Sequence, residues 1–403
     1  MNAGDRTPVP TGEAAEPTRE NAYYEAISER YGIAQVFLYL SLFTFVVFFL
    51  ILHSDRITYQ NFYYFFRDLG TTAGSTEILR SESVSYPADR ERGFTLYRQG
   101  LAVAGSSTVT LFSPSGKQLI SERASLRSPA AVGTGKYLLV YETGGTRYSL
   151  YNSFSCIFSG TADAPIRGAD VSPTGSFAVI SSSPEYDSVV ELYDGDLRLT
   201  SRFLINGYVT DVSLHPKGTM VAMLISTAGD GTFRTVLRIC HAENGKTVSE
   251  TVVGEGLGLR CAFTSSGIVS VLTSSGAAFL NARGRLISEV PFSGETVFCA
   301  DLNTSGTALI LKESARSQKI HILMFDKSGK MLYNDFADGG AEAVSITSGA
   351  AFVQQSGSIL RVRKGTVERM SIAAAGCTLL AVDRDDFYLC TAKQAVCLRF
   401  SPE

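Results

Sequence analysis

Residues 169–181 read ADVSPTGSFAVIS, and this stretch decides the fold because closely similar stretches recur along the chain. Residues 210–223 read TDVSLHPKGTMVAM, and residues 300–311 read ADLNTSGTALIL. In each copy a short strand leads into a turn, and an apolar run typical of a buried second strand follows. A glycine stands in the corresponding turn of seven units, at Gly100, Gly135, Gly175, Gly218, Gly267, Gly306 and Gly349, and Asp385-Asp386 takes its place in the last unit.

A second hairpin follows each of these copies, with two apolar residues, a polar turn and a further strand. Clear examples are LFSPSGK at residues 111–117 and MFDKSGK at residues 324–330. One apolar position of this pattern recurs in steps of 36 to 46 residues, at 112, 151, 193, 239, 280, 325, 362 and 398. A period of about 40–50 residues is typical of four-stranded propeller blades. The sequence therefore predicts an all-β, eight-bladed β-propeller, with seven blades as the alternative.

The last repeat lacks its outer strand, since its third strand is predicted at about residues 395–400 of the 403-residue sequence. An extended stretch at residues 82–86, ESVSY, precedes the first blade. We expect this stretch to complete the eighth blade, because closing the ring leaves no sheet edge unpaired. The propeller is then predicted to occupy residues 80–403.

An uncharged run of twenty residues, IAQVFLYLSLFTFVVFFLIL at 33–52, precedes the propeller. At about 1.5 Å per residue, a helix of this length matches the roughly 30 Å hydrocarbon core of a bilayer. A cleavable signal peptide would have a shorter apolar region followed by small residues. The run therefore predicts a transmembrane signal-anchor helix at 33–53, preceded by a tail at 1–32.

Membrane orientation is inferred from general rules, because arginines near the two ends of the run are equal in number. Long following domains are translocated largely regardless of charge, so we expect a cytoplasmic N-terminus and an extracytoplasmic propeller at the cell membrane. Between them, residues 54–79 are predicted to form a juxtamembrane helix and a linker. The helix is expected between Thr58 and Gly70, with an apolar stripe.

The turn segments SPTG at 172–175 and HPKG at 215–218 resemble WD40-like and TolB-like propeller turns. The full arrangement of tail, span and propeller is similar to a family of unknown function whose members are membrane-anchored bacterial propeller proteins. The resemblance implies a location in the cell envelope and implies no activity. The Trp-Asp dipeptide of true WD40 repeats is missing, because the chain has no tryptophan.

Composition and motifs argue against several classes of function. A net charge of −3 disfavours nucleic-acid binding. Without tryptophan the chain cannot carry the tryptophan motifs of quinone-dependent or sialidase propellers, and it lacks a Gly-x-Ser-x-Gly nucleophile elbow. The four histidines show no metal-ligand spacing, and Asp194-Gly-Asp196 is typical of a hairpin turn. We therefore predict no enzyme activity, no catalytic residue, no cofactor and no metal, with a hydrolase as the third-ranked alternative.

Four arginines stand seven or eight residues before a turn glycine, where inner strands are predicted to begin. Their guanidinium groups could converge at one mouth of the central channel and bind carboxylate or phosphate groups; the alternative is local pairing within and between blades. These candidate ligand-binding residues are Arg92, Arg127, Arg167 and Arg260.

The seven cysteines are expected to be buried thiols that pack as small apolar groups. Cys390 and Cys397 flank one hairpin, where they are predicted to face each other, so that a disulfide between them is the alternative.

Two functions follow from these expectations. The favoured one is a membrane-anchored binding or scaffold module for a protein or cell-envelope ligand. The alternative is an accessory or sensor subunit that signals through the span to a cytoplasmic partner.

Overall fold

The fold is described from a computed structural model, which describes residues 19–52, 83–229 and 231–402. The chain divides into two units, Met1–Gly74 and Ser75–Glu403. The described part of the first unit is one helix, and the described part of the second is built from β-strands. The predicted juxtamembrane helix and linker, at residues 54–79, lie wholly outside the described residues.

Helix α1 (Arg19–Leu52) contains the whole uncharged run and begins well before it. Residues 19–31 contain no proline or glycine and are rich in Glu, Ala and Arg, which favour a helix. Large apolar side chains from Val36 to Phe48 are exposed. Among the residues described in enough detail to be tested, no helix has the length and apolar character needed to cross a membrane.

The second unit forms eight antiparallel sheets of four strands each, which are the blades of the propeller. Blades 1 to 4 are β2 (Arg92–Tyr97), β3 (Gly100–Gly105), β4 (Thr108–Phe112), β5 (Gln118–Arg123); β6 (Pro129–Gly133), β7 (Leu138–Glu142), β8 (Arg147–Tyr151), β9 (Cys156–Thr161); β10 (Gly168–Val171), β11 (Phe177–Ser181), β12 (Ser188–Tyr193), β13 (Leu199–Ile205); and β14 (Tyr208–Leu214), β15 (Met220–Gly229), β16 (Thr232–His241), β17 (Thr247–Glu255).

Blades 5 to 8 follow the same order, except that the last blade takes its outer strand from the start of the unit. They are β18 (Gly258–Phe263), β19 (Ile268–Thr273), β20 (Gly276–Asn281), β21 (Leu286–Pro291); β22 (Thr296–Asn303), β23 (Gly306–Lys312), β24 (Lys319–Asp326), β25 (Met331–Asp338); β26 (Ala343–Thr347), β27 (Ala350–Gln355), β28 (Ser358–Arg363), β29 (Thr366–Ser371); and β30 (Thr378–Ala381), β31 (Asp386–Cys390), β32 (Gln394–Arg399), β1 (Ser83–Ser85).

The ring closes in blade 8, where β1 pairs antiparallel with β32 and Val84 lies opposite Ala395. The Tyr86 hydroxyl donates a hydrogen bond to the Thr391 carbonyl at 2.8 Å. The predicted eight blades and the predicted closure by the N-terminal strand are both confirmed, and the seven-bladed alternative is excluded.

The apolar core lies between the blades. The described residues form eight buried clusters, one at each junction of neighbouring blades, and the cluster between blades 8 and 1 contains Val84 and Tyr86. Second strands are almost wholly buried, as in β23 and β27, whereas outer strands such as β29 largely alternate between partly buried and exposed positions. This burial explains the apolar runs that follow each turn in the sequence.

The repeat landmarks of the sequence lie where they were predicted. Each apolar anchor position falls in a third strand, and each turn glycine lies in or beside the connection between a first and a second strand. Gly218 shows why glycine is needed there: its φ is +68°, and an added Cβ would lie 2.3 Å from Thr174 Oγ1 in the turn of the preceding blade.

Candidate functional site

The end of the propeller at which the inner strands begin is called the mouth face below. Arg92 is the first residue of β2, Arg167 directly precedes β10, Arg127 precedes β6 by two positions, and Arg260 is the third residue of β18. The four predicted arginines therefore lie at or near the mouth face, on blades 1, 2, 3 and 5.

The structure gives each of these arginines its own neighbours. Arg92 donates to the Asp89 carbonyl oxygen and lines a cavity between blades 8, 1 and 2. Arg127 is exposed and lines neither this cavity nor the one described next. Whether the four act together on a ligand stays a prediction.

Arg167 lines a second cavity, of about 400 Å³, together with Tyr208 at the start of β14. Its guanidinium carbon lies 5.5 Å from the centroid of the Tyr208 ring, within the range of a cation–π interaction. The Nη1 atom also donates to Ser188 Oγ at 3.4 Å, a long hydrogen bond. Blade 3 therefore supplies the cation, and blade 4 supplies the aromatic ring.

The inner strands of three adjacent blades are irregular close to the mouth face. Their pairing with the second strand slips between Val209 and Asp211 in blade 4, and between Gly258 and Arg260 in blade 5. The same slip occurs in blade 6 between Val297 and Cys299, which leaves Phe298 as the extra residue. Bulges of this kind redirect side chains and are common beside functional sites.

Phe298 covers a lysine at the mouth end of blade 6. The Lys312 ammonium lies 3.6 Å from the centroid of the Phe298 ring. Lys312 is only 6% exposed, whereas Phe298 is 45% exposed. No carboxylate among the described residues forms an ion pair with this ammonium. The cation is therefore held by an aromatic ring that faces solvent.

Partly buried carboxyl groups connect the inner strands of neighbouring blades. Asp170 Oδ2 accepts the Leu214 N–H at 2.7 Å, and Asp301 Oδ2 accepts the Ile346 N–H at 2.8 Å. Asp211 Oδ2 accepts the N–H of Cys261 at 2.9 Å. These aspartates are the Asp of the repeated Ala/Thr-Asp-Val/Leu motif, which therefore has a structural role.

Burial sets the protonation of these aspartates. It raises the pKa of Asp170 to about 7, because loss of solvent disfavours the carboxylate more than the hydrogen bonds favour it. Burial also raises the pKa of Asp211 and of Asp301 above the usual value. Arg260 opposes the effect at Asp211, where its Nε lies 4.0 Å from Oδ2.

His215 and the turn aspartate Asp194 have structural surroundings. Asp194 Oδ1 accepts the N–H groups of Asp196 and Arg198, as predicted for a turn. His215 lies in the turn after β14, and its Nδ1 accepts the Lys217 N–H at 3.1 Å. Within the part of the chain that the structure describes, no three His, Cys, Asp or Glu side chains are grouped as metal ligands.

The cysteines correct one prediction. Cys390 lies opposite Ala395, and Cys397 lies opposite Tyr388, so the two cysteines do not face each other across the hairpin. Neither is in a disulfide, and both pack in the cluster between blades 8 and 1. The prediction that these two thiols are buried as apolar groups is therefore confirmed, while Cys156, Cys299 and Cys377 are only partly buried.

Sequence reasoning missed Tyr208, Phe298 and Lys312. The only available signal was an aromatic residue near the start of an inner strand in blades 4 and 6. In an alternating strand such a residue is read as part of the core, and nothing local indicates the bulge that brings Phe298 to the surface.

Solved structures with a similar fold were found at low sequence identity. BamB from Moraxella catarrhalis has a TM-score of 0.52 at 13% identity, covering 80% of this chain and 99% of that one. A crystal structure of a eukaryotic initiation factor has a TM-score of 0.53 at 14% identity, covering 79% and 85%. The propeller domain of Myceliophteria thermophila Cps50 (Swd1) has a TM-score of 0.50 at 11% identity, covering 72% and 98%. At these identities the likeness shows the fold alone.

Comparison with curated protein sequences gave no significant match. A family model, in contrast, matches residues 74–393, which include every described strand except β32. The predicted resemblance to a family of unknown function with a WD40-like propeller is thereby confirmed for the propeller, and the chain belongs to the family of unknown function DUF5711.

Proposed function

We propose that this protein is a membrane-tethered binding module, not an enzyme, and that it binds an acidic segment of a protein partner through the mouth face of blades 3 to 6. One observation carries the proposal. Two exposed aromatic rings on this face, Tyr208 and Phe298, are each paired with a cation that forms no ion pair with a described carboxylate.

The residue types on this surface support a protein partner. Tyrosine and arginine are enriched among the residues that dominate binding energy, and an exposed phenylalanine offers apolar area to cover. Neither Arg167 nor Lys312 forms an ion pair with a described carboxylate, and a carboxylate interacts with a cation most strongly where water is excluded. A partner that covers Phe298 would remove water from the Lys312 ammonium. We therefore expect the partner to carry a carboxylate, whose negative charge compensates the positive charge of Lys312.

The inner-strand bulges support the same surface. They occur in three consecutive blades and lie within three residues of Tyr208, Arg260 or Phe298. A bulge disrupts the regular pairing of its strand with the neighbouring strand. Three bulges in adjacent blades are therefore expected at a surface where the direction of side chains is needed for binding.

The membrane tether is proposed from the sequence of α1. Its uncharged run of twenty residues has the length of a membrane span, and the apolar side chains between Val36 and Phe48 are exposed. We propose a cytoplasmic N-terminus and an extracytoplasmic propeller. Protease added to intact cells should then digest the propeller and leave a membrane-embedded fragment that contains α1. Complete protection of the propeller in intact cells, together with digestion after lysis, would contradict this orientation.

The binding surface is tested with variants of matched exposure. Tyr208→Ala combined with Phe298→Ala should lower recovery of crosslinked partner from membranes at least tenfold. Phe336→Ala is the control: Phe336 is also 45% exposed and also lies beneath a cation, Lys319, but it belongs to the outer strand β25. Equal loss of partner in the two variants would contradict a binding site at the mouth face. A partner that instead binds residues 1–32 would indicate the signalling role.

A further inference from the structure

A cavity of about 510 Å³ opens between blades 8, 1 and 2 at the mouth face. Its volume lies within the range of roughly 300–1,000 Å³ that small-molecule sites occupy. Two arginines and four hydroxyl groups are among its lining groups, namely Arg90, Arg92, Ser128, Thr143, Thr378 and Thr391. These residues come from three blades, so only the closed ring brings them together.

Arg92 lines this cavity and has a side-chain donor that no described residue uses. Its Nε is buried and has no hydrogen-bond partner among the described residues, while one terminal nitrogen donates to the Asp89 carbonyl. A buried donor without a partner costs about 1–3 kcal/mol. Arginine presents its donors in a planar fork that matches the oxygen pairs of carboxylate and phosphate groups.

The charge of the lining is positive on balance. Glu91 also lines the cavity, but its Oε2 already accepts a hydrogen bond from Ser128 Oγ at 2.7 Å. Neither Arg90 nor Arg92 forms an ion pair with a described carboxylate. The Glu91 carboxylate is therefore bonded to the Ser128 hydroxyl, and the guanidinium groups of Arg90 and Arg92 can bind an anion.

We propose that this cavity binds the oxyanion group, carboxylate or phosphate, of a small soluble molecule through Arg92 and Arg90. Hydroxyl groups of Thr143 and Thr378 supply neutral donors around it. The site goes beyond the proposed protein-binding surface, because it uses blades 8, 1 and 2 and needs none of Tyr208, Phe298 or Lys312. Its binding can be measured on the purified protein without a partner.

The test is calorimetric titration of the full-length protein in detergent with inorganic phosphate and, separately, with citrate at matched ionic strength. Saturable one-site binding is expected for at least one of the two anions, and the preferred anion assigns the ligand class. Arg92→Gln and Arg90→Gln should each weaken this binding at least tenfold. Arg92→Lys should not restore it, because a compact ammonium lacks the planar fork.

Arg369→Gln is the matched control, since Arg369 is exposed on the outer strand β29, away from the cavity. It should bind as the wild type does. Arg90 is also exposed, so Arg90→Gln tests the site even if Arg92→Gln unfolds the protein, which its melting temperature would reveal. Absence of binding for both anions, or equal binding by Arg90→Gln and Arg369→Gln, would overturn the proposal.

Discussion

At the scale of single residues, the inner-strand aspartates show how a repeated polar residue can be structural. Asp170, Asp211 and Asp301 lie in inner strands, and each accepts a backbone N–H from the inner strand of the next blade. Such a group satisfies a donor that the edge of the neighbouring sheet would otherwise leave unpaired. The same burial makes the carboxyl groups hold protons at unusually high pH.

Asp170 predicts a pH dependence of stability. Its folded-state pKa of about 7 lies above the ordinary value of 3.8, so its favourable contribution is complete below about pH 4 and is lost as pH rises toward 7. Between pH 5 and pH 8 the free energy of unfolding should fall by about 2–3 kcal/mol more in the wild type than in Asp170→Asn. Asparagine keeps an acceptor for the Leu214 N–H and does not titrate.

Urea denaturation of the two proteins at several pH values measures this difference. Parallel pH profiles for the wild type and Asp170→Asn would show that Asp170 does not titrate in this range. Ser149→Ala serves as a control, since its half-buried hydroxyl forms a hydrogen bond with that of Ser159 in the outer strand β9 and its loss should leave the pH profile unchanged.

At the scale of strands and blades, the sequence predicts those features that are set by residues close together in the chain. Turn residues and the apolar runs after them are local, so the blade count and the place of each third strand follow from the repeats. The aromatic partners of Arg167 and Lys312 cannot be predicted from the repeats, because cation–aromatic pairs across blades or beside a bulge depend on strand register. The start of α1 at Arg19 was also missed, although Thr18, a residue type favoured at helix N-caps, directly precedes it in the sequence.

Blade 7 is joined to blade 8 by a guanidinium group that stability measurements can test. Arg361 is buried; its Nη2 and Nη1 donate to Glu368 and Asp385 at 2.6 Å each, and its Cζ lies 4.2 Å from the Phe400 ring centroid. Arg361→Met should lower the free energy of unfolding by about 2–3 kcal/mol, because charge-assisted bonds are lost.

Chemical denaturation followed by circular dichroism gives this value. Arg363→Met is the comparison, because Arg363 bonds the same Asp385 oxygen but is 35% exposed at its side chain, and it should cost less than about 1 kcal/mol. Equal effects of the two substitutions would mean that the buried guanidinium does not join the blades.

At the scale of the whole molecule, a three-residue strand completes the ring. Strand β1 supplies the outer strand of blade 8, and Val84 and Tyr86 enter the apolar cluster between blades 8 and 1. Without this contact the junction would lose its outer strand and part of its core. The cavity lined by Arg92 also lies at this junction, so the proposed anion site depends on closure of the ring.

Val84→Asp tests the closure. Placing a carboxylate in the apolar cluster should lower the free energy of unfolding by about 3 kcal/mol or more, through lost packing and an unpaired buried charge. Ser83→Asp is the matched control on the same strand, where the side chain is exposed, and should change stability by less than about 0.5 kcal/mol. If Val84→Asp and Ser83→Asp lowered the melting temperature equally, closure of the ring by β1 would be contradicted.

The binding surface on the mouth face is tested most directly by placing a photo-crosslinking amino acid at position 298 or at position 336 of the full-length protein in living cells. We predict that the probe at 298 joins the protein to one partner, and that Lys312→Gln in the same chain abolishes this product. The probe at 336, on the outer strand, should give no such product. Crosslinking from 336 but not from 298, or the same product from both positions, would contradict partner binding at the mouth face.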